Sequence, residues 1–221
     1  QTHRLVLEGL FGPVEKVIST KELMDKKTLA NLKIKCIILK HPNIREKMTY
    51  AEELDYIVSN KERNNFLCDL LRHLDGNTLC LFQLVEKHGK VLYERLKDDK
   101  NVFFVFGGTA TADREKIREI VDGSKHSTTL ASFGTFSTGI NIRNINNIVL
   151  SSPSKSKIRV LQSIGRGLRI SSTKDSILIY DIADDISYGS RHNFTLTHFT
   201  ERLNIYNEEQ FNYEIDKVKL K

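Results

Sequence analysis

The stretch Leu161 to Arg169, LQSIGRGLR, holds the residues whose types and spacing are best suited to chemistry. On a helix turning about 100° per residue, Gln162, Arg166 and Arg169 fall within about 60° of one another. Val160, Leu161, Ile164 and Leu168 occupy the other side, so one face docks while the other presents two guanidiniums and an amide. An arginine fork is permanently charged and planar, and it grips phosphate oxygens at two points as charge builds on a transferring phosphoryl group. Gly165 and Gly167 each cost about 1 kcal/mol relative to alanine inside a helix, which suggests a close approach to the backbone there. The same spacing also describes a basic surface helix with two accidental glycines.

A second stretch, ASFGTFSTGINI from Ala131 to Ile142, reads as a polar, glycine-containing loop at the carboxyl end of a strand. Its hydroxyls and backbone N–H groups could meet phosphates, or it could be a plain surface loop. Two other chemistries lack their parts. A complete nucleotide-hydrolysing site needs a lysine-bearing phosphate loop and an acidic Mg²⁺ ligand. Gly134 to Gly139 has the glycine spacing but continues Ile140-Asn141, and Asp184-Asp185 continues Ile186-Ser187 rather than forming an acidic box. A dinucleotide fold needs a third glycine that VFGGTATA does not offer.

The elements that must position these groups alternate β-rich runs with amphipathic stretches, the pattern of a parallel sheet covered by helices. The strands read as Ile34–Leu39, Thr78–Phe82, Val102–Phe106, Ser127–Ala131, Asn147–Ser151 and Ser176–Ile182, apolar on both faces. Thr49 with Glu52 and Ser19 with Glu22 have capping-box spacing. Helices are expected over Asn60–Leu74, Val85–Leu96 and Thr111–Val121. The fold class is therefore α/β, a doubly wound, mostly parallel sheet with helices on both faces and function at the carboxyl ends of its strands. After Tyr188 the chain offers a helix near Thr197–Asn207 and an alternating segment, Phe211, Tyr213, Ile215 and Val218, as a final strand.

Composition narrows the classes further. The chain has 221 residues and a formal net charge of +6, a weak pointer to a polyanionic partner. No run approaches the roughly eighteen apolar residues that a membrane helix requires. Cys36, Cys68 and Cys80 each lie among apolar neighbours, as buried free thiols do, and His192 and His198 lack metal-ligand spacing. No structural metal is expected.

Gln162, Gly165, Arg166 and Arg169 resemble the Q-x-x-G-R-x-x-R motif of superfamily 2 helicases, and Ala131–Ile142 resembles the preceding motif, with Ser132 and Asn141 departing from the usual Thr and Asp. Upstream, Thr78–Leu96 and Val105–Val121 resemble two further motifs in the same order. The resemblance implies a RecA-like C-terminal motor domain over 19–187, entered through a connection at 1–18 and extended by 188–221. It assigns arginine-finger roles to Arg166 and Arg169 and nucleotide contacts to Gln162, Gly139, Asn141 and Gly165. Nucleic-acid contacts fall to Gln83, Lys87, Gly108, Thr109, Arg114, Ser132, Thr135 and Thr138. ATP and Mg²⁺ would be held mainly by a separate N-terminal RecA-like domain, so this chain alone is expected not to hydrolyse ATP. The implied partner is DNA, branched forms included, in the cytoplasm of an infected host cell for phage-type members. Two alternatives stay open: a non-catalytic nucleic-acid or protein-binding module, and half of an RNA helicase. Arg114 with Glu115 could also be no more than a surface pair.

Overall fold

The computed structural model describes residues 31–42, 44, 46–138, 144–153 and 176–221, with backbone alone at 31 and 136–138. Strands β1 (Asn31–Lys40), β2 (Asn77–Phe82), β3 (Val102–Val105), β4 (Ser127–Ser132), β5 (Asn147–Leu150), β6 (Ser176–Asp185) and β7 (Tyr213–Lys219) form one sheet in the order β3-β4-β2-β5-β6-β1-β7. Each pairing is parallel, so the expected mostly parallel sheet is all-parallel among the described residues. All six expected strands are present, and the alternating segment near the end of the chain joins the sheet as β7, beside β1.

Strand alternation divides the side chains between two cores. Ile34 and Cys36, Leu79 and Leu81, and Ile177 and Ile179 pack on one face with Val121, Phe199 and Tyr206. Ile37 and Leu39, Cys80 and Phe82, and Tyr180 and Ile182 pack on the other with Leu67, Leu71, Leu92 and Leu96. The three cysteines are free and buried, and burial pushes their thiols up.

The described helices are α1 (Tyr50–Ser59), α2 (Lys61–His73), α3 (Lys90–Leu96), α4 (Thr111–Gly123), α5 (Phe133–Thr138) and α6 (Phe194–Glu208). Thr49 and Glu52 form the expected reciprocal cap on α1, and the Asn60 side chain accepts the Arg63 N–H at the start of α2. The stretch expected as one helix over Val85–Leu96 instead begins with a π-helical turn, Val85–Gly89, ahead of α3. The wider turn lays Gly89 on the Phe82 ring, where a Cβ would come within 2.5 Å of a ring carbon. Among the described residues no helix is long and apolar enough to cross a membrane, and no cluster of His, Cys, Asp and Glu could hold a metal.

Side chains from distant elements lock α6 in place. Asn193 makes no side-chain cap at its start, and the buried Glu53 carboxylate of α1 accepts the N–H groups of Phe194 and Thr195 instead, at 2.9 and 3.0 Å. Asp181 of β6 receives Arg202 at 2.8 Å and the Tyr206 hydroxyl at 2.9 Å.

Candidate functional site

Parallel strands bring the loops after β2, β3 and β4 to one edge of the sheet, and these three strands are neighbours in it. After β2, Gln83 is exposed and its backbone N–H donates to Ser152 Oγ at 3.1 Å. Lys87 is exposed in the π-helical turn, and its ammonium reaches Asp55 at 2.7 Å. After β3 the backbone reverses over Phe106–Thr109. The Thr109 N–H donates to the Phe106 carbonyl at 2.9 Å, and the Phe106 N–H donates to Thr109 Oγ1 at 3.0 Å. Gly108 lies exposed on the Phe106 ring, where a Cβ would come within 2.6 Å of a ring carbon.

Arg114, four residues into α4, turns back onto this reversal and donates to the carbonyls of Thr109 and Gly107 at 2.8 and 3.0 Å. The surface pair entertained for Arg114 with Glu115 is not what forms: Glu115 pairs with Arg118 at 2.8 Å. The charge of Arg114 thus stands over the glycine turn and braces it.

After β4, Ser132 and Thr135 are buried and their hydroxyls meet at 2.7 Å, while the Thr135 N–H donates to Ser132 Oγ. The backbone from Phe133 to Thr138 is helical, where a loop was expected, because the Ser132 hydroxyl caps its first turn. Gly134 lies inside that helix rather than in a loop. Thr138 ends the helix, with only its backbone described. Gly139, Asn141, Gln162, Gly165, Arg166 and Arg169 lie outside the described residues, as do 1–18 and the pair Ser19 and Glu22.

Sequence reasoning missed a polar layer beneath this edge. Arg63 is fully buried and donates through Nε and Nη2 to the two carboxylate oxygens of Asp184, at 2.7 and 3.0 Å. Nη2 also donates to the Ser151 carbonyl at 2.7 Å, and Nη1 faces His88 Nε2 at 3.4 Å. A guanidinium only donates, so His88 Nε2 must accept, which places the ring proton on Nδ1, pointing at Ser152 Oγ 3.0 Å away. Burial first and the Arg63 charge second drive the His88 pKa down to about 3, leaving the ring neutral. His41 Nε2 donates to Asp184 at 2.9 Å. Burial works to raise Asp184, but Arg63 and the hydrogen bonds from His41 and Arg63 outweigh it and hold the carboxyl below its usual range. The signal was present in register: Arg63 lies four and eight residues before Leu67 and Leu71, and His88 stands likewise before Leu92 and Leu96.

Residues 62–171 match the helicase conserved C-terminal domain family. The chain is 32% identical over 231 residues to the ATP-dependent DNA helicase UvsW of Enterobacteria phage T4, covering 96% of this chain and 46% of that protein. It is 29% identical over 142 residues to a putative ATP-dependent helicase of Saccharomyces cerevisiae, covering 62% of this chain and 20% of the relative. The chain thus spans less than half the length of either. Among solved structures, the crystal structure of UvsW superposes with a TM-score of 0.74 at 32% identity, over 87% of this chain and 42% of that one. A DEAD box protein from Methanococcus jannaschii superposes at 0.55 with 16% identity, over 99% of this chain and 49% of the other, a likeness of fold alone.

Proposed function

This chain belongs to the superfamily 2 helicases as their C-terminal RecA-like domain, and from that premise we propose that it is the second motor half of an ATP-dependent DNA helicase. The observation that carries the reading is the shared edge. Gln83 and Lys87, then Gly108, Thr109 and Arg114, then Ser132, Thr135 and Thr138, follow three adjacent parallel strands. With strands about 4.8 Å apart, their loops make a ledge about 10 Å across. Contacts from such a ledge go to the phosphate backbone, which positions a strand without reading its sequence.

On this reading ATP and Mg²⁺ are bound mainly by an N-terminal RecA-like lobe. This chain contributes Gln162, Gly139, Asn141 and Gly165 beside the nucleotide and Arg166 and Arg169 as the charges that stabilise the transferring phosphoryl group. The work done is unwinding, annealing or branch migration of DNA. In the full-length protein, Arg166→Ala or Arg169→Ala is expected to lower kcat for ATP hydrolysis by about 10³-fold or more. The Kd for an oligonucleotide, measured alongside by anisotropy, should stay close to wild type. Variants that hydrolyse ATP at the wild-type rate would remove both arginines from the mechanism.

A further inference from the structure

Beneath the ledge, the loop after β2 and the end of β5 are joined by side chains whose hydrogen-bonding directions are fixed. Asp184 holds the Arg63 fork, and Arg63 Nη2 holds the Ser151 carbonyl at 2.7 Å. Arg63 Nη1 faces the accepting nitrogen of His88. His88 donates from its other nitrogen to Ser152 Oγ, which also accepts the Gln83 N–H at 3.1 Å. Arg63 and His88 are fully buried, and Asp184 and Ser152 are no more than 3% exposed, so water offers these groups no substitute partner. Among the described residues the loop after β2 meets this relay at its first residue, through the Gln83 N–H, and again at His88 in the turn that follows. A hydroxyl with two acceptor sites is the group that can take both N–H donors at once.

We propose that Asp184, Arg63, His88 and Ser152 form a positioning relay that fixes the loop after β2, so that Gln83 engages nucleic acid in the geometry that stimulates ATP hydrolysis. None of these four residues touches the nucleic acid; they act through Gln83. The proposal rests on the helicase reading above and deepens it by tying the candidate nucleic-acid loop to the strand end that leads, in sequence, toward Gln162, Arg166 and Arg169.

The test uses full-length protein, a single-stranded oligonucleotide and ATP hydrolysis measured with and without it. Ser152→Ala strands two N–H donors. It is expected to raise the oligonucleotide concentration for half-maximal stimulation about tenfold, the consequence of losing the one of those two bonds that holds the Gln83 N–H. In a Gln83→Ala background the same substitution should add nothing further, because the group it positions is gone. Ser152→Cys, which keeps the size but weakens the acceptor, should shift the curve in the same direction by less, and it stands in if the alanine variant does not fold. A stimulated wild type with an unshifted Ser152→Ala curve, or additive effects of Ser152→Ala and Gln83→Ala, overturns the relay alone. Wild-type hydrolysis that ignores the oligonucleotide overturns the helicase reading itself, and the relay with it.

Discussion

Asp181 and Asp184 stand three residues apart on β6, face opposite sides of the sheet, and are each gripped by a buried arginine. On one face, Asp181 receives Arg202 and Tyr206, both from α6, and the bonds to its carboxylate join one helix to one strand. On the other, Asp184 receives Arg63 from α2 and His41 from the end of β1, and Arg63 passes on to Ser151 and His88. Burying either pair costs several kcal/mol per ion before the mutual attraction offsets it. The same expense therefore serves different ends: docking a helix in one case, and fixing loop backbone beneath an exposed edge in the other.

That contrast can be broken by substitution in pairs. Arg202→Met or Arg63→Met alone should each destabilise the chain by about 3–5 kcal/mol in urea denaturation, since each leaves a buried carboxylate unpaired. Removing the three groups that the bonds on the Asp181 side join, with Asp181→Leu, Arg202→Met and Tyr206→Phe together, should recover most of that loss. Asp184→Leu with Arg63→Met should not, because the Ser151 carbonyl and the His41 N–H lose their partners and each orphan costs about 1–3 kcal/mol. Equal recovery on the two faces would erase the distinction drawn between them.

Acid sharpens the comparison from another side. His88 has a folded pKa of about 3, against an ordinary 6.5. Between those values the unfolded chain binds a proton that the folded chain refuses, so stability from this group is fully present above 6.5 and is lost as pH falls toward 3. Asp184, held below its usual range, adds to the loss only at lower pH. The wild-type unfolding free energy should fall with acidification more steeply than that of His88→Gln, the gap approaching about 1.4 kcal/mol per pH unit well below the ordinary histidine pKa. Parallel stability curves for the two proteins from pH 7.5 to 5 would mean that the ring takes up its proton in place.

The strands were legible because parallel strands covered on both faces leave unbroken apolar runs, as in VFFVF and SILIYDI. Thr49 with Glu52 was legible because a capping box is local. The π-helical turn was not, since it depends on Gly89 meeting the ring of Phe82, seven residues earlier and on another element. Arg63 and His88 were overlooked for a different reason. Each occupies an apolar stripe position, and a periodicity argument counts the leucines that follow and passes over the one polar residue at the head of the stripe. Polar residues in that register, all converging on the carboxyl end of a sheet, were the available signal. For Ser132 and Thr135, the reading of a polar loop carried no sign that the two hydroxyls would turn toward each other.

The smallest effect separates stability from function at Lys87. Its pair with Asp55 is short, but both side chains are more than half exposed, so solvent and salt screen it. Lys87→Ala should change the unfolding free energy by no more than about 1 kcal/mol, far less than the loss of Arg63. If Lys87 lies against phosphate, the same substitution should reduce the slope of log K against log salt for oligonucleotide binding by about 1. Asp55→Ala, which frees the ammonium, should tighten that binding. A lysine that only decorates α1 would leave both the slope and the affinity where they were. In that case the ledge would depend on the braced backbone of Gly107 to Thr109 and on Gln83, the loop that hangs from the buried relay.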